Sequence, residues 1–412
     1  MSRNSTFTIF ITIFLLIGCA PEVENNNTHG KTTKEENASE SSNEQFRQQP
    51  QNENKQAINN LVIGSTKNIT RIGSDSDKLI DTSIHVSQTI WPATHAENRP
   101  GTILLVAEDS WQIAMASANL IHHPNNGPIL FIEENRIPNK TLEEIERLQP
   151  KGNENGTKIM VIGDVSQNVR SKLENYPTDH IKSVDPATFA ANIDEKYANL
   201  TGAFPENVII ASSEEKGKLY SLPAVNWIAH MPEPVLYVEQ NDIPKQTVEA
   251  LKKRKKDALN IYILGPKSVV SNDVENDLKK LGNVTRIEGK NVVENAINFA
   301  AFKDKKTDFG WGFDEPGHGV SFISTSTPDL AIASAPLSHL GKHAPLIWLE
   351  DGVPNQAIYD FLAMIRPTFT ANPQNGPYNH GFITGSFDAI SFMNQGKLDE
   401  KLEIANEHGE GH

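Results

Sequence analysis

Three stretches of this 412-residue chain repeat one another. They begin TILLVAEDSW at Thr102, NVIIASSEEK at Asn207 and GVSFISTSTP at Gly319, and each reads as strand, Ser/Thr-rich turn, helix, strand, acidic turn and Pro-started helix. The prolines Pro138, Pro244 and Pro354 mark the period, at spacings of 106 and 110 residues. A further strand ends each copy, in KIMVIGD, IYILGPK and HGFITGS, with Gly163, Gly265 and Gly385 at matching places. Solenoid units repeat every ~20–50 residues, so a period this long points to a whole small domain copied twice.

Within a copy the strands are short unbroken apolar runs such as Ile103 to Val106, Ile129 to Ile132 and Ile159 to Ile162, the pattern of parallel strands covered on both faces. Leu142, Ile145 and Leu148 have helical spacing behind Pro138, whose fixed φ and missing N–H suit a first turn. Strands alternating with helices imply right-handed crossovers and an open doubly wound sheet. An extra strand and helix open each copy: NITRIGS before Asp77 to Ile90, HIKSVD before Pro186 to Leu200, and NVTRIEG before Asn291 to Phe302. The expected fold is α/β, with three tandem Rossmann-like or flavodoxin-like parallel-sheet repeats in pseudo-threefold arrangement.

The chain opens differently. After Arg3 the run FTIFITIFLLIG is about twelve residues, the length of a signal-peptide core and short of the ~20 needed to span a bilayer. It ends in Leu16-Ile17-Gly18-Cys19, which resembles the lipobox of bacterial lipoproteins, so residues 1–18 are expected to be removed and Cys19 lipidated. Two or more acyl chains give stable anchoring, where one is marginal. Residues 19–58 are nearly devoid of apolar side chains and read as a polar tether, which as a flexible coil spans on the order of 35 Å. Cys19 is the single cysteine, which excludes an intramolecular disulfide and a Cys-based metal cluster. The net charge of −14, from 38 Lys and Arg against 52 Asp and Glu, argues against nucleic acid as a partner.

TRIGS and TRIEG leading into a helix, then a strand ending in Ser or Thr, then P-[IL]-L-[FY]-[IV]-E followed by an IP or VP helix start, then a strand ending in Gly, resemble the cell wall-binding repeat type 2 family. The resemblance covers about residues 60 to 400 and divides the folded part into repeats at 59–178, 179–283 and 284–400, with a tail at 401–412. It implies a compact trio of α/β domains attached non-covalently to an anionic wall polymer, of glycan or teichoic-acid type. Joined to the lipobox, it implies a protein on the extracytoplasmic face of the cell membrane, held there by lipid and facing the wall. No cofactor is implied.

Ligands of open parallel sheets sit outside the carboxyl ends of the strands, which directs attention to the following turns. Asp109 with Ser110, Ser212 with Ser213, and Ser324 to Ser326 suit sugar or phosphate groups, and the same residue types are favoured helix caps. The acids Glu133, Glu134, Glu239, Glu350 and Asp351 precede helices and suit dipole partnership as well as ligand contact. Ser110, Ser213 and Ser324 are taken as candidate polymer contacts, with Arg71 and Arg286 of the TRI motifs. Lys252, Lys253, Arg254, Lys255 and Lys256 join them as the densest positive run on an acidic protein, and also as cations suited to a helix C-terminus. Trp311, in an insertion with Phe309, Phe313 and His318, is a sugar platform or the anchor of its own loop. His408 and His412 in the tail are weak metal ligands on pattern, and no metal site is assigned.

G-x-S-x-G before a helix, HExxH and a Walker loop are all lacking, and the glycines of FGWGFDEPGHG precede a strand, so no catalytic residue and no enzyme activity is expected. Two other classes stay open. A solute-binding lipoprotein of a transporter predicts two lobes about one cleft; a degenerate glycan-modifying enzyme predicts an acid, base or nucleophile cluster in one repeat.

Overall fold

The computed structural model describes residues 64–406 apart from 74, 123, 124, 134, 183 and 342. The signal segment, Cys19, the tether, Glu134, His408 and His412 lie outside the described residues. No helix among the described residues is long and apolar enough to cross a membrane.

The chain enters through a hairpin of β1 (Gly64–Ser65) and β2 (Ile69–Ile72) and continues into helix α1 (Leu79–Ile90). The first repeat supplies β3 (Ile103–Ala107), α2 (Trp111–Ser117), β4 (Ile129–Ile132), α3 (Asn139–Leu148), β5 (Ile159–Ile162) and α4 (Gln167–Lys172). β6 (Thr178–Ile181) and α5 (Pro186–Thr201) lead to β7 (Asn207–Ser212), α6 (Lys218–Ser221), α7 (Ala224–Ile228), β8 (Val235–Val238), α8 (Lys245–Leu251), β9 (Asn260–Leu264) and α9 (Asn272–Leu278). β10 (Asn283–Ile287) and α10 (Val292–Ala301) lead to β11 (Gly319–Ser324), α11 (Leu330–Ser334), β12 (Leu346–Leu349), α12 (Gln356–Met364), β13 (Thr368–Phe369), β14 (His380–Thr384), α13 (Phe392–Leu402) and β15 (Ala405–Asn406).

The strands form three sheets of one design, ordered β4-β3-β5-β6, β8-β7-β9-β10 and β12-β11-β14-β2, every pair parallel. β1 adds an antiparallel edge to the third, and β13 pairs with β15 apart from the rest. The sequence period and the sheets are out of step by one strand. β6 and β10, which open the second and third copies in sequence, complete the sheets of the first and second. The third sheet is completed by β2 from the start of the folded part, with Thr70 opposite Phe382 and Arg71 opposite Ile383. The helix after each such strand, α1, α5 or α10, crosses to the next sheet and packs on its edge strand β4, β8 or β12.

Alternation along a strand distributes side chains to two cores. Leu104 and Val106 face a cluster that runs through all three repeats, while Ile103 and Leu105 pack with Ile145 and Leu148 on the other face of the first sheet. Ser166, Ser271 and Ser391 cap the helices that follow the third strands, each accepting from a backbone N–H three residues on.

The TRI arginines explain the stagger. Arg71 is 1% exposed; its Nε donates to Gln395 Oε1 at 2.6 Å, Nη1 to the carbonyls of Gly385 and Ser386 at 2.8 and 3.0 Å, and Nη2 to that of Ile390 at 2.7 Å. Arg286 repeats this on Gly265 at 2.7 Å, Val270 at 2.9 Å and the Glu275 carboxylate at 2.8 Å. In the remaining sheet His180 stands at the same register, its Nε2 2.8 Å from the Gly163 carbonyl. All three hold the turn after the third strand, where Gly163, Gly265 and Gly385 have φ of 114°, 120° and 130°, a region that favours glycine. A Cβ at Gly163 would lie 2.9 Å from that of Ala107.

One group of histidines is contributed by all three repeats. His122 lies 4.6 Å, centroid to centroid, from His339 and 6.3 Å from His230, and His230 lies 4.3 Å from His343. Burial, followed by the neighbouring His343, His122 and His339, brings the His230 imidazolium down to about 3. Burial, then His122 and His343, brings His339 to about 4. Among the described residues no group of three His, Cys, Asp or Glu is arranged to hold a metal ion. The rings instead pack on one another.

Two outcomes follow from these contacts. Arg71→Met leaves three buried carbonyls without their donor and is expected to lower stability by about 3 kcal/mol in urea titration, against less than about 0.5 kcal/mol for exposed Lys255→Met. Because the folded histidines titrate below their ordinary 6.5, their contribution is complete above that pH and is lost as pH falls from about 6.5 toward 4 and 3. Melting temperature should therefore drop between pH 7 and pH 5, and drop less in His230→Gln/His339→Gln.

Candidate functional site

The turns that follow β3, β7 and β11 meet. Trp111 Nε1 of the first repeat donates to Glu215 Oε2 of the second at 3.1 Å, and Gln112 Nε2 donates to the Ser213 carbonyl at 2.9 Å. Lys218 Nζ of the second repeat lies 2.8 Å from Asp329 Oδ1 of the third and 5.9 Å from the centre of the Trp111 ring. One lysine therefore touches elements of all three copies.

Beside it opens a cleft of about 470 Å³, within the range of small-ligand pockets. Its apolar lining is Leu79, Ala114, Phe131, Leu330 and Ile332, all but Leu79 buried, together with the half-buried Trp111. The polar side carries the carboxylates of Asp77, Glu108, Asp109 and Asp329 with the hydroxyls of Ser110, Ser326 and Thr327, against the single ammonium of Lys218. Thr327 Oγ1 is shielded from solvent and makes no hydrogen bond. Burial, and then the like charge of Glu133, raise the Glu108 carboxyl above its ordinary range while Lys140 opposes them. Asp77 is held by Ser386, whose backbone N–H donates to Oδ1 at 2.6 Å.

The interface beside the cleft differs from the other two. The third residue of each edge strand, Phe131, Tyr237 or Trp348, reaches toward the first helix of another repeat. Tyr237 Oη donates to the Gln112 carbonyl at 2.8 Å, and Trp348 Nε1 donates to the Leu219 carbonyl at 2.8 Å. Phe131 has no donor; it is fully buried, and it stands behind the cleft with Leu330 and Ile332 of α11. A larger groove of about 780 Å³ beside α12 and α13 is lined largely by polar and charged side chains, among which Lys67 pairs with Glu403 and Lys401 with Glu400.

The sequence candidates distribute unevenly about this site. Ser110 caps α2, its Oγ accepting from Ile113 N at 3.3 Å, and it also lines the cleft. Ser213 lies one turn away, its hydroxyl donating at 3.4 Å to the Val238 carbonyl. Ser324 is buried, 2.7 Å from Ser326 Oγ, and it is Ser326 that reaches the cleft. Arg71 and Arg286 are interior clamps whose guanidinium groups face main-chain carbonyls. In the basic run Arg254 is turned inward onto Asp194, with N–O distances of 2.6 and 2.8 Å, and Lys253 pairs with Glu195 at 2.7 Å. Lys252, Lys255 and Lys256 are exposed. Trp311 is half-buried against Trp227 and stacked on His230, while Phe309 and Phe313 are buried, so the insertion is fastened to the core by its aromatics. Lys218, Asp329, Glu108 and Phe131 were not singled out by sequence, although the turns SEEK and EDSW that frame them were.

No family model matches the chain. Among curated proteins, the amidase enhancer of Bacillus subtilis (strain 168) is 24% identical over 343 residues, 79% of this chain and 43% of that protein. Among solved structures, Cwp6 from Clostridium difficile matches with a TM-score of 0.66 at 15% identity, over 83% of this chain and 49% of that one. Cwp8 from Clostridium difficile matches with a TM-score of 0.62 at 18% identity, over 82% of this chain and 52% of that one. This chain thus spans about half the length, or less, of the proteins it resembles, and with the two solved structures it shares its three-sheet α/β fold.

Proposed function

We propose that this is a non-catalytic binding protein of the bacterial cell wall, tethered to the extracytoplasmic face of the membrane by a lipid on Cys19 and attached to a wall polymer through its three α/β repeats. The observation that carries the reading is the architecture: three sheets of one design around a common core, with the post-strand turns of all three copies meeting at Lys218. The fold shared with Cwp6 and Cwp8 supports it, and so does the name of the Bacillus relative, which describes a protein that enhances an amidase rather than being one. The cell wall-binding repeat resemblance read from the TRI, P-[IL]-L and Gly-ended motifs supplies the polymer as ligand. A solute-binding protein would offer two lobes, and three sheets of equal design around a common core give that reading no support. In the proposed role the anionic groups of the polymer meet Lys252, Lys255 and Lys256, the exposed cations of the basic run.

Purified wall sacculi, before and after acid extraction of secondary polymers, test the attachment. The protein is expected to co-sediment with untreated sacculi and to lose that association after extraction; absence from both pellets removes the proposal. Membrane attachment is read separately, with Cys19→Ala expected to move the protein from the membrane fraction to the soluble fraction.

A further inference from the structure

The third copy departs from the other two at the turn after β14 and the start of α13. Phe387, Phe392 and Met393 are 43%, 60% and 69% exposed. Counted from the shared glycine and the capping serine, the same places in the second copy hold Lys267, Asn272 and Asp273, and the shorter turn of the first copy shows Asp164, Gln167 and Asn168, all exposed. The apolar side chains are held in one group. Phe387 and Phe392 meet edge to face with ring centres 6.0 Å apart, and the buried Arg71 guanidinium backs the Phe387 ring at 4.3 Å. Val353, also exposed, extends the surface, since Asn394 beside Met393 donates to the Gly352 carbonyl at 2.9 Å. Single apolar side chains are ordinary on a surface, whereas a contiguous group marks a contact.

The point where the tether joins the body supplies the second argument. β1 runs antiparallel to β2 with Gly64 opposite Arg71, the residue whose guanidinium backs Phe387, and Arg71 in turn stands opposite Ile383 of β14. The chain therefore enters the body at the sheet end that carries the patch, two strand spacings or roughly 10 Å from β14. Cys19 and Gly64 are 45 positions apart, on the order of 35–40 Å for a flexible coil. A surface that holds Cys19 is thus presented to this end of the third sheet at high effective concentration. Size and charge narrow the occupant. With a whole aromatic side chain at about 150–250 Å², the exposed parts of the patch come to on the order of 300 Å². That is short of the ~800 Å² a side of a stable dimer and suits shallow insertion at a bilayer interface. Asp351, Asp388 and Lys397, all exposed, surround it, so charge gives an anionic lipid no advantage here.

We propose that this patch docks on the lipid bilayer: Phe387, Phe392 and Met393 enter the interface of the membrane that holds the Cys19 lipid, and turn the carboxyl end of the third sheet toward it. The proposal rests on the lipid-anchor reading and adds an orientation to it. The contact is apolar and short-ranged, a second and weaker signal beside the acyl chains, so it orients a protein that the lipid retains.

Vesicle flotation tests this on the processed chain from residue 19 onward carrying Cys19→Ala, which removes the lipid and the single thiol. This chain is expected to float with excess phosphatidylcholine vesicles, and no more tightly with vesicles in which phosphatidylglycerol replaces part of the phosphatidylcholine. Phe392→Asn/Met393→Asp, which installs the residues that follow the capping serine of the second copy, should weaken flotation about tenfold while melting temperature holds. A polarity-sensitive dye on Met393→Cys should shift to the blue with vesicles, and the same dye on Lys255→Cys should not. No flotation, tighter flotation with the anionic vesicles, unchanged flotation in the double variant or equal shifts of the two dyes overturns the proposal. So does a dimer in sedimentation equilibrium that the double variant abolishes, which assigns the patch to a second copy. If the lipidated protein stays in the membrane fraction while the Cys19→Ala chain ignores vesicles, the patch assignment falls and the anchor reading stands. If vesicles recruit the patch while Cys19→Ala leaves the cellular membrane fraction unchanged, the anchor reading falls and the patch assignment stands.

Discussion

Neighbouring parallel strands need a crossover between them, and that crossover carries the chain over one face of the sheet. Each sheet here takes its fourth strand from the start of the next copy, and the third takes β2 from the beginning of the folded part. The pairing of Arg71 with Ile383 thus closes the trio into a ring. No copy owns a whole sheet, and each helix that follows a borrowed strand already lies on the next sheet. Cutting the chain between sequence repeats would expose an unpaired strand edge in one sheet and remove the cover from another. The buried arginine at each borrowed strand, or His180 in its place, fastens the same junction from the side by satisfying carbonyls of a glycine turn.

A ring of three similar bodies has three similar interfaces, and any difference between them is informative. The difference here reduces to one side chain in an edge strand. Tyrosine and tryptophan bring an apolar body and a donor together, so they fill an interface and also satisfy a carbonyl across it. Phenylalanine fills without satisfying, and a polar, water-accessible cleft stands beside it. The distribution of charge follows the same break in symmetry: the turn of the first copy is EDSW, that of the second SEEK followed by Lys218, and that of the third TSTP followed by Asp329. Three sequences that look interchangeable as helix starts become a cation, its partner and an acidic rim once they face one another.

Much of the architecture was legible in the chain because it is written locally. Unbroken apolar runs such as ILLVA and IMVI specify buried parallel strands, and repeated punctuation by Pro and Gly marks the copies. The direction of Arg71 was not legible, because a positive charge in a TRI motif looks the same whether it faces a polymer or the carbonyls of Gly385 and Ile390. Arg254 misled for a related reason: its partner Asp194 is 60 residues away on another helix. Trp311 was legible only as a pair of alternatives, and the packing against Trp227 and His230 selects the anchor. The cleft itself had half a signature. Its turns stood out by composition, but the absence of a donor at Phe131 acquires meaning only beside Tyr237 and Trp348.

Copying a binding domain is commonly a route to avidity, since tethered sites engage a repetitive ligand at high effective concentration. That arithmetic requires the copies to keep equivalent open sites, and at two of the three interfaces a hydrogen bond from the edge-strand aromatic already spans the junction. What triplication supplies instead is a frame. Three sheets joined through borrowed strands fix the relative positions of Trp111, Lys218 and Asp329, residues more than 100 positions apart in the chain, without a hinge between them. A pocket walled by three bodies held this way is preorganised, so less ordering free energy opposes binding than at a flexible surface. On this view the repeats serve by rigidity rather than by number.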